Sequence, residues 1–163
     1  MRLLAVLALA ALPGVAAAFD ANGVALGAGE RDVKKAFPSA RCQALEWKSK
    51  AAERRCDDAK ISFGGVEARI TLYLKGDAVQ AFDVRFATRD VERVSSFLKK
   101  QYGAPLAESR DKLERKDKSP LQTYKLRWEK GCDQAVLISQ LEKSRTSLLV
   151  SRGDFEEEIY KVR

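Results

Sequence analysis

The amino-acid sequence predicts an α+β domain in which two helix-plus-antiparallel-strand units form one sheet, with the helices packed on one face. Three observations lead to this prediction. The tripeptide Arg-Asp-Val occurs at residues 31–33 and again at 89–91, each time where a helical segment begins. Strictly alternating apolar and polar residues follow each segment, as in half-buried strands. Single tight turns join these strands, which requires antiparallel pairing. The two units span about residues 24–87 and 88–152.

The first 18 residues have the composition of a secretory signal peptide. Arg2 precedes an unbroken apolar run at residues 3–12, and Ala16 and Ala18 match the small-residue cleavage pattern. The residue after the cut is Phe19 rather than a lipid-bearing cysteine, which predicts a soluble periplasmic or secreted protein. No later stretch is apolar enough to span a membrane. Residues 19–163 are therefore expected to form a single domain.

The first unit is predicted to contain a helix at residues 30–37 that ends at Pro38. A strand follows at residues 68–75, because apolar and polar residues alternate there. Gly76 and Asp77 are typical of a tight hairpin turn. The return strand places Phe82, Val84 and Phe86 inward.

The second unit is predicted to contain a helix at residues 89–102 that ends at Gly103. Strands follow around residues 124–129, 135–141 and 147–151, and a terminal helix is expected at residues 154–162. The charged connector at residues 105–120 holds five basic and four acidic residues, which fits either an exposed helix or a mobile loop. One shared core is predicted for Ile70, Leu72, Phe82, Val84, Phe86, Leu98 and Trp128.

The three cysteines allow three single-disulfide pairings. A Cys42–Cys56 bond is favoured, because these residues are close in sequence and are expected on neighbouring strands. Cys132 follows Gly131 and lies at a turn. It is either a buried apolar filler, which is the favoured interpretation, or a free thiol.

The sequence contains none of the usual catalytic arrangements. It has no histidine, which excludes Ser-His-Asp and Cys-His nucleophile systems and the usual zinc sites. No phosphate-binding loop is present, and the glycine-rich stretch at residues 23–29 lacks the strand that a dinucleotide fingerprint requires. Paired carboxylates at Asp57-Asp58 and at residues 156–158 are the remaining route to a hydrolase. The protein is therefore predicted not to be an enzyme and to need no cofactor or metal.

A formal net charge of +7 favours anionic partners. In an exported protein these are lipopolysaccharide, a cell-wall polymer or an acidic protein surface, whereas the compartment argues against nucleic acid. The candidate binding residues lie at outward strand positions and are Arg69, Tyr73, Arg85, Lys125 and Arg127. An ordinary solvated face explains the same residues, because Asp83 and Glu129 lie among them.

A short pattern of apolar residues with Gly and Pro punctuation is carried by Leu26-Gly27, Val33, Phe37-Pro38, Trp47, Val91, Phe97, residues 102–105 and Trp128. This pattern resembles that of small bacterial envelope proteins with repeated helix-plus-sheet units. They include the β-lactamase-inhibitor-protein-like fold and the small outer-membrane assembly lipoproteins. The resemblance implies a non-enzymatic module that binds a protein partner in the cell envelope. A polyanion-binding surface protein and a carboxylate-dependent hydrolase remain the alternatives.

Overall fold

The computed structural model describes residues 18–153 and residue 155. The predicted signal peptide at residues 1–18 and the predicted terminal helix at residues 154–162 lie outside the described residues, apart from Ala18 and Phe155.

Two α-helices and ten β-strands make up the described chain. The helices are α1, Glu30–Ala36, and α2, Val91–Tyr102, and a 3-10 turn at Thr88–Asp90 precedes α2. The strands are β1 (Asp20–Ala21), β2 (Val24–Ala25), β3 (Arg41–Ala44), β4 (Arg54–Phe63), β5 (Val66–Lys75), β6 (Ala78–Ala87), β7 (Ala107–Arg115), β8 (Lys118–Lys130), β9 (Asp133–Gln140) and β10 (Arg145–Arg152). Among the described residues, no helix is long and apolar enough to span a membrane.

Eight of the strands form one antiparallel sheet in the order β3-β4-β5-β6-β10-β9-β8-β7, while β1 and β2 pair with each other. Strand accounts for 56% of the described residues and helix for 17%. The prediction of two helix-plus-antiparallel-strand units is therefore wrong. The described residues form mostly one large antiparallel sheet with two α-helices. Seven residue pairs join β6 to β10, so the backbone hydrogen bonding continues across the boundary expected near residue 87.

The connector at residues 105–120 is neither a helix nor a mobile loop. It contains β7, the turn at residues 116–117 and the beginning of β8, which pair as a long hairpin. Asp117 has a φ of 60° in this turn, a conformation that a short polar side chain tolerates better than most. The charged stretch is therefore part of the sheet.

The main core lies on the face of the sheet that carries both helices. Val33 of α1 and Val94 and Leu98 of α2 pack in one cluster with the inward residues of the strands. The predicted core is confirmed, because its seven members all belong to this cluster and are at most 2% exposed. Burying seven large apolar side chains in one cluster is the main stabilising contribution of this face.

The opposite face, here called the outer face, is not uniformly solvated. A second and smaller cluster lies on it, formed by Ala52, Tyr73, Ala81 and Phe155. Trp47 and Leu45 pack against this cluster from the segment between β3 and β4. The outer face is thus covered by apolar side chains at this end.

Two local predictions are confirmed by the backbone. Gly76 and Asp77 have φ values of 54° and 62° in the turn between β5 and β6, as the two central residues of a type I′ hairpin require. The Cys42–Cys56 disulfide is present and joins residues that lie directly opposite each other on β3 and β4.

Candidate functional site

The cross-strand register places three of the candidate binding residues in one row of the outer face. Arg69 lies opposite Arg85, and Arg85 lies opposite Ser147. Ser147 lies opposite Ile138, which in turn lies opposite Lys125. Directly opposite residues share a face, so this row crosses five strands and is about 19 Å long.

Arg127 lies in the next row of the same face. Its neighbours across the strands are Val136, then Leu149, then Asp83. Val136 and Leu149 are buried although they belong to the outer face. Four of the five predicted residues therefore share one region of the outer face, as the alternation predicted.

Hydrogen bonding separates these cations into two kinds. The Nε of Arg85 is 2.7 Å from Oδ2 of Asp83, whose other oxygen accepts a hydrogen bond of 2.6 Å from Ser147. Arg127 forms an ion pair with Glu129. Arg69 and Lys125 are exposed and form no ion pair within residues 18–153 and 155. Of the four candidate cations, Arg69 and Lys125 are therefore the ones whose charge is not already balanced by a neighbouring carboxylate among the described residues.

Tyr73 is not available as a contact residue. It is only 9% exposed, and its ring lies 5.3 Å from that of Phe155 between the ring centroids. The alternation placed Tyr73 on the correct face of β5. It could not reveal that Phe155, far away in the sequence, covers that position.

Trp47 and Arg55 form a feature of the outer face that sequence reasoning missed as a binding site. The Arg55 guanidinium lies 5.9 Å from the Trp47 ring centroid, and its Nε is 3.0 Å from Asp57 Oδ2. A half-buried tryptophan beside an arginine is a common composition of protein-binding surfaces. The signal available in the sequence was a tryptophan in a segment with no predicted strand.

The paired carboxylates do not form a catalytic pair. Asp57 lies on the outer face and accepts a hydrogen bond of 2.7 Å from Thr71. Asp58 points to the other face, is buried, and accepts a hydrogen bond of 3.0 Å from the backbone N–H of Lys60. Adjacent strand residues point to opposite faces, so the two carboxylates cannot act across one cleft. The acidic residues 156–158 lie outside the described residues.

A polar network beside α2 was not predicted. Glu108 accepts a hydrogen bond of 2.8 Å from the Lys99 ammonium and another of 2.8 Å from the Tyr124 hydroxyl. The Lys99 hydrogen bond lowers the pKa of Glu108, and the same bond raises the pKa of Lys99. Burial, followed by the hydrogen bond to Glu108, raises the pKa of Tyr124.

This network is suited to structure rather than to acid–base chemistry. A general base near neutral pH requires a lysine with a lowered pKa, whereas Lys99 is held protonated. Arg110 completes the arrangement, with its guanidinium 4.0 Å from the Tyr124 ring centroid and 2.8 Å from Glu92. The network fastens β7 and β8 to α2.

Cys132 is exposed at the turn between β8 and β9. The favoured interpretation of a buried filler is therefore wrong, and the alternative of a free thiol describes the residue. Within residues 18–153 and 155, no group of three or more Cys, Asp or Glu residues could hold a metal ion.

The chain matches no model of a known protein family, no curated protein and no solved structure.

Proposed function

We propose that this chain is an exported, non-enzymatic binding module that recognises a protein partner in the bacterial cell envelope through the outer face of its sheet. The observation that carries the proposal is the row between Arg69 and Lys125. Its two end cations are exposed and have no ion-pair partner among the described residues. The Cys42–Cys56 disulfide supports the location, because such bonds persist in oxidising compartments.

The charge pattern favours a protein over an anionic polymer. Carboxylates at Asp57 and Glu129 are partly exposed among the cations of the outer face, so a uniform polyanion would meet like charge at both positions. A folded partner can place acidic groups at Arg69 and Lys125 and avoid the carboxylates. The formal net charge of +7, to which Arg2 of the predicted signal peptide contributes one, favours an acidic partner surface by long-range attraction.

Trp47, beside β4 on the outer face, supplies the apolar contact that a protein-binding surface also needs. Trp47 is half-buried beside Arg55, and both residue types are enriched among those that dominate binding energies. The proposed partner therefore makes charged contacts along the row and an apolar contact at Trp47.

The test compares two variants that remove the same charge from opposite sides of the molecule. Arg69→Ser with Lys125→Ser removes the two end cations of the row. Arg31→Ser with Lys35→Ser removes two exposed cations from α1 on the helix-bearing side. Each double variant lowers the net charge by two and changes only exposed side chains, so both should fold normally.

The measurement is capture of proteins from an envelope extract by the wild-type chain and by each variant, at two salt concentrations. We expect the row variant to lose a captured protein that the α1 variant retains. Equal capture by all three chains would refute the role of the row. Capture of a cell-wall polymer or lipopolysaccharide that falls steeply with salt would identify a polyanion partner instead.

A further inference from the structure

The two edges of the large sheet differ in their protection. β3 forms one edge, has four residues, and is fastened by the Cys42–Cys56 disulfide. β7 forms the other edge and has nine residues, eight of them exposed. In the part of the chain that the structure describes, β7 pairs with β8 alone. A long exposed edge is a template for pairing with another strand.

The outer half of this edge extends beyond the rest of the sheet. β9 pairs with β8 only as far as Thr123, whereas β7 and β8 continue to pair to Arg115 and Lys118. Residues 113–121 thus form a two-stranded arm. Leu113 is 61% exposed on this arm and lies opposite Leu121. A hairpin of two strands is marginally stable alone, so a third strand would stabilise it.

The sequence of the outer half of β7 is complementary to itself when it runs antiparallel. A two-fold axis perpendicular to the sheet at Leu113 would place each Leu113 opposite its own copy. The flanking pairs would then each join opposite charges: Lys112 with Glu114, and Asp111 with Arg115. Each of these pairs would occur twice. Opposite charges directly across strands stabilise pairing, and like charges oppose it.

The existing contacts of these four side chains are all made within the β7–β8 hairpin. Lys112 and Glu114 form an ion pair along the strand at 2.7 Å, with both side chains more than half exposed. Asp111 accepts a hydrogen bond from Ser109, and Arg115 donates to the carbonyl of Ser119. Neither Asp111 nor Arg115 forms an ion pair among the described residues. The irregularity in the hairpin lies on β8, because three residues of β8 span the distance of two on β7.

We propose that β7 binds β7 of a second copy of this chain, antiparallel and centred on Leu113. The product is an isologous dimer with one sheet running through both copies. The two-fold axis is perpendicular to the sheet, so both outer faces lie on the same side of the dimer. The contact is short, and the dimer is therefore weak, as small interfaces usually are.

Charge reversal tests the pairing without disturbing the fold. Lys112→Glu and Glu114→Lys each place like charges opposite one another in the self-paired dimer, so each variant alone should remain monomeric. A mixture of the two variants restores opposite charges in both flanking pairs and should form a heterodimer. Lys60→Glu changes charge equally on β4, at a side chain that is 79% exposed, and should dimerise like the wild type.

The measurement is sedimentation equilibrium of the mature chain from about 10 µM to 1 mM, a range in which weak dimers form. All chains carry Cys132→Ser, which prevents dimers through the exposed thiol and leaves the disulfide intact. We expect each variant alone to associate at least tenfold more weakly than the wild type. The mixture of the two variants should regain the wild-type association. A wild-type chain that stays monomeric at 1 mM would refute the proposal. Variants that dimerise as strongly as the wild type would refute it equally.

Discussion

At the residue scale, buried side chains that carry both an apolar body and a polar group set the packing beside α2. Trp128 is 2% exposed, and its Nε1 donates a hydrogen bond of 2.8 Å to the carbonyl of Gly103. Its ring meets that of Tyr102 edge-on, with the centroids 5.8 Å apart. One residue thus fixes the end of α2 against β8.

Replacing Trp128 should therefore separate the contribution of the buried ring from that of the hydrogen bond to Gly103. Trp128→Ala should lower the free energy of unfolding by about 3–5 kcal/mol, the usual cost of removing a large buried aromatic side chain. Trp128→Phe keeps an aromatic ring and loses the hydrogen bond, so it should cost less than Trp128→Ala. Denaturant unfolding of both variants measures the difference. A loss below about 1 kcal/mol for Trp128→Ala would contradict the burial.

The Glu108 carboxylate makes the stability of the folded chain depend on pH. Its pKa is lowered from the ordinary value of 4.5 by the hydrogen bond from Lys99. A lowered pKa contributes stability that is present above pH 4.5 and is lost as the pH falls through the folded-state value. Glu108→Gln should therefore lower the melting temperature at pH 7, and its difference from the wild type should shrink toward pH 3.

Lys99→Met is the matched control for this pH dependence. It removes the same ion pair from the other side, so its effect and that of Glu108→Gln should not add in the double variant. Fully additive losses would mean that the two side chains act independently.

The sequence predicted which way a residue points better than what covers it. Period-two alternation correctly placed Arg69, Arg85 and Lys125 on one face, because strand geometry alone determines that face. It failed for Tyr73, since the residue that covers it is Phe155, which lies 82 positions further along the chain. It also failed for Cys132, because the general tendency of cysteine to be buried does not apply at the tip of a hairpin.

At the scale of elements, β3 depends on a covalent bond to hold its place at the edge of the sheet. It has four residues, most of them exposed, and pairs with β4 alone. The Cys42–Cys56 bond closes a segment with a sequence separation of 14 residues. The bond is the main restraint on this edge.

Removing the disulfide with Cys42→Ser and Cys56→Ser should cost about 3 kcal/mol on the chain-entropy model. We expect hydrogen exchange to accelerate first at the β3 amides, while β5 and β6 keep their protection. Cys132→Ser is the control, because its exposed thiol is unbonded and its loss should leave the stability unchanged. Uniform acceleration across the sheet would show that β3 is not a separate unit.

β7 was not predicted from the sequence, because its hairpin with β8 is charged. Strand prediction depends on an apolar half of an alternating pattern. Both faces of the arm at residues 113–121 are largely in solvent, and Leu113 and Leu121 are its only large apolar residues. Without a buried face, the pattern resembled a polar loop. Backbone pairing with β8 formed the strand instead.

At the scale of the whole molecule, one core extends across the central strands of the sheet. The cluster contains residues of β4, β5 and β6 together with residues of β8, β9 and β10. The sequence indicated two units because its tripeptide repeat and its helices occur twice. It could not indicate the β6–β10 pairing, since a strand pattern does not specify its partner.

This continuity predicts a single unfolding transition. Far-ultraviolet circular dichroism and tryptophan fluorescence should give coincident midpoints in denaturant, with the disulfide intact. The two tryptophans report on different faces, because Trp128 lies in the core and Trp47 packs against the outer cluster. Two resolved transitions would instead restore the idea of separate helix-plus-strand units.

The position of β10 between β6 and β9 determines when the chain can complete its fold. β10 is the last strand of the described residues, yet it occupies the middle of the sheet and pairs Ser147 with Arg85, 62 residues earlier. During synthesis, all residues up to 144 are made before β10 can fill the gap between β6 and β9. Until then β6 and β9 each present an open, apolar edge, which favours aggregation. A chain that ends prematurely before residue 145 should therefore accumulate as insoluble protein, whereas chaperones that shield extended apolar segments would protect the full chain until its last strand emerges.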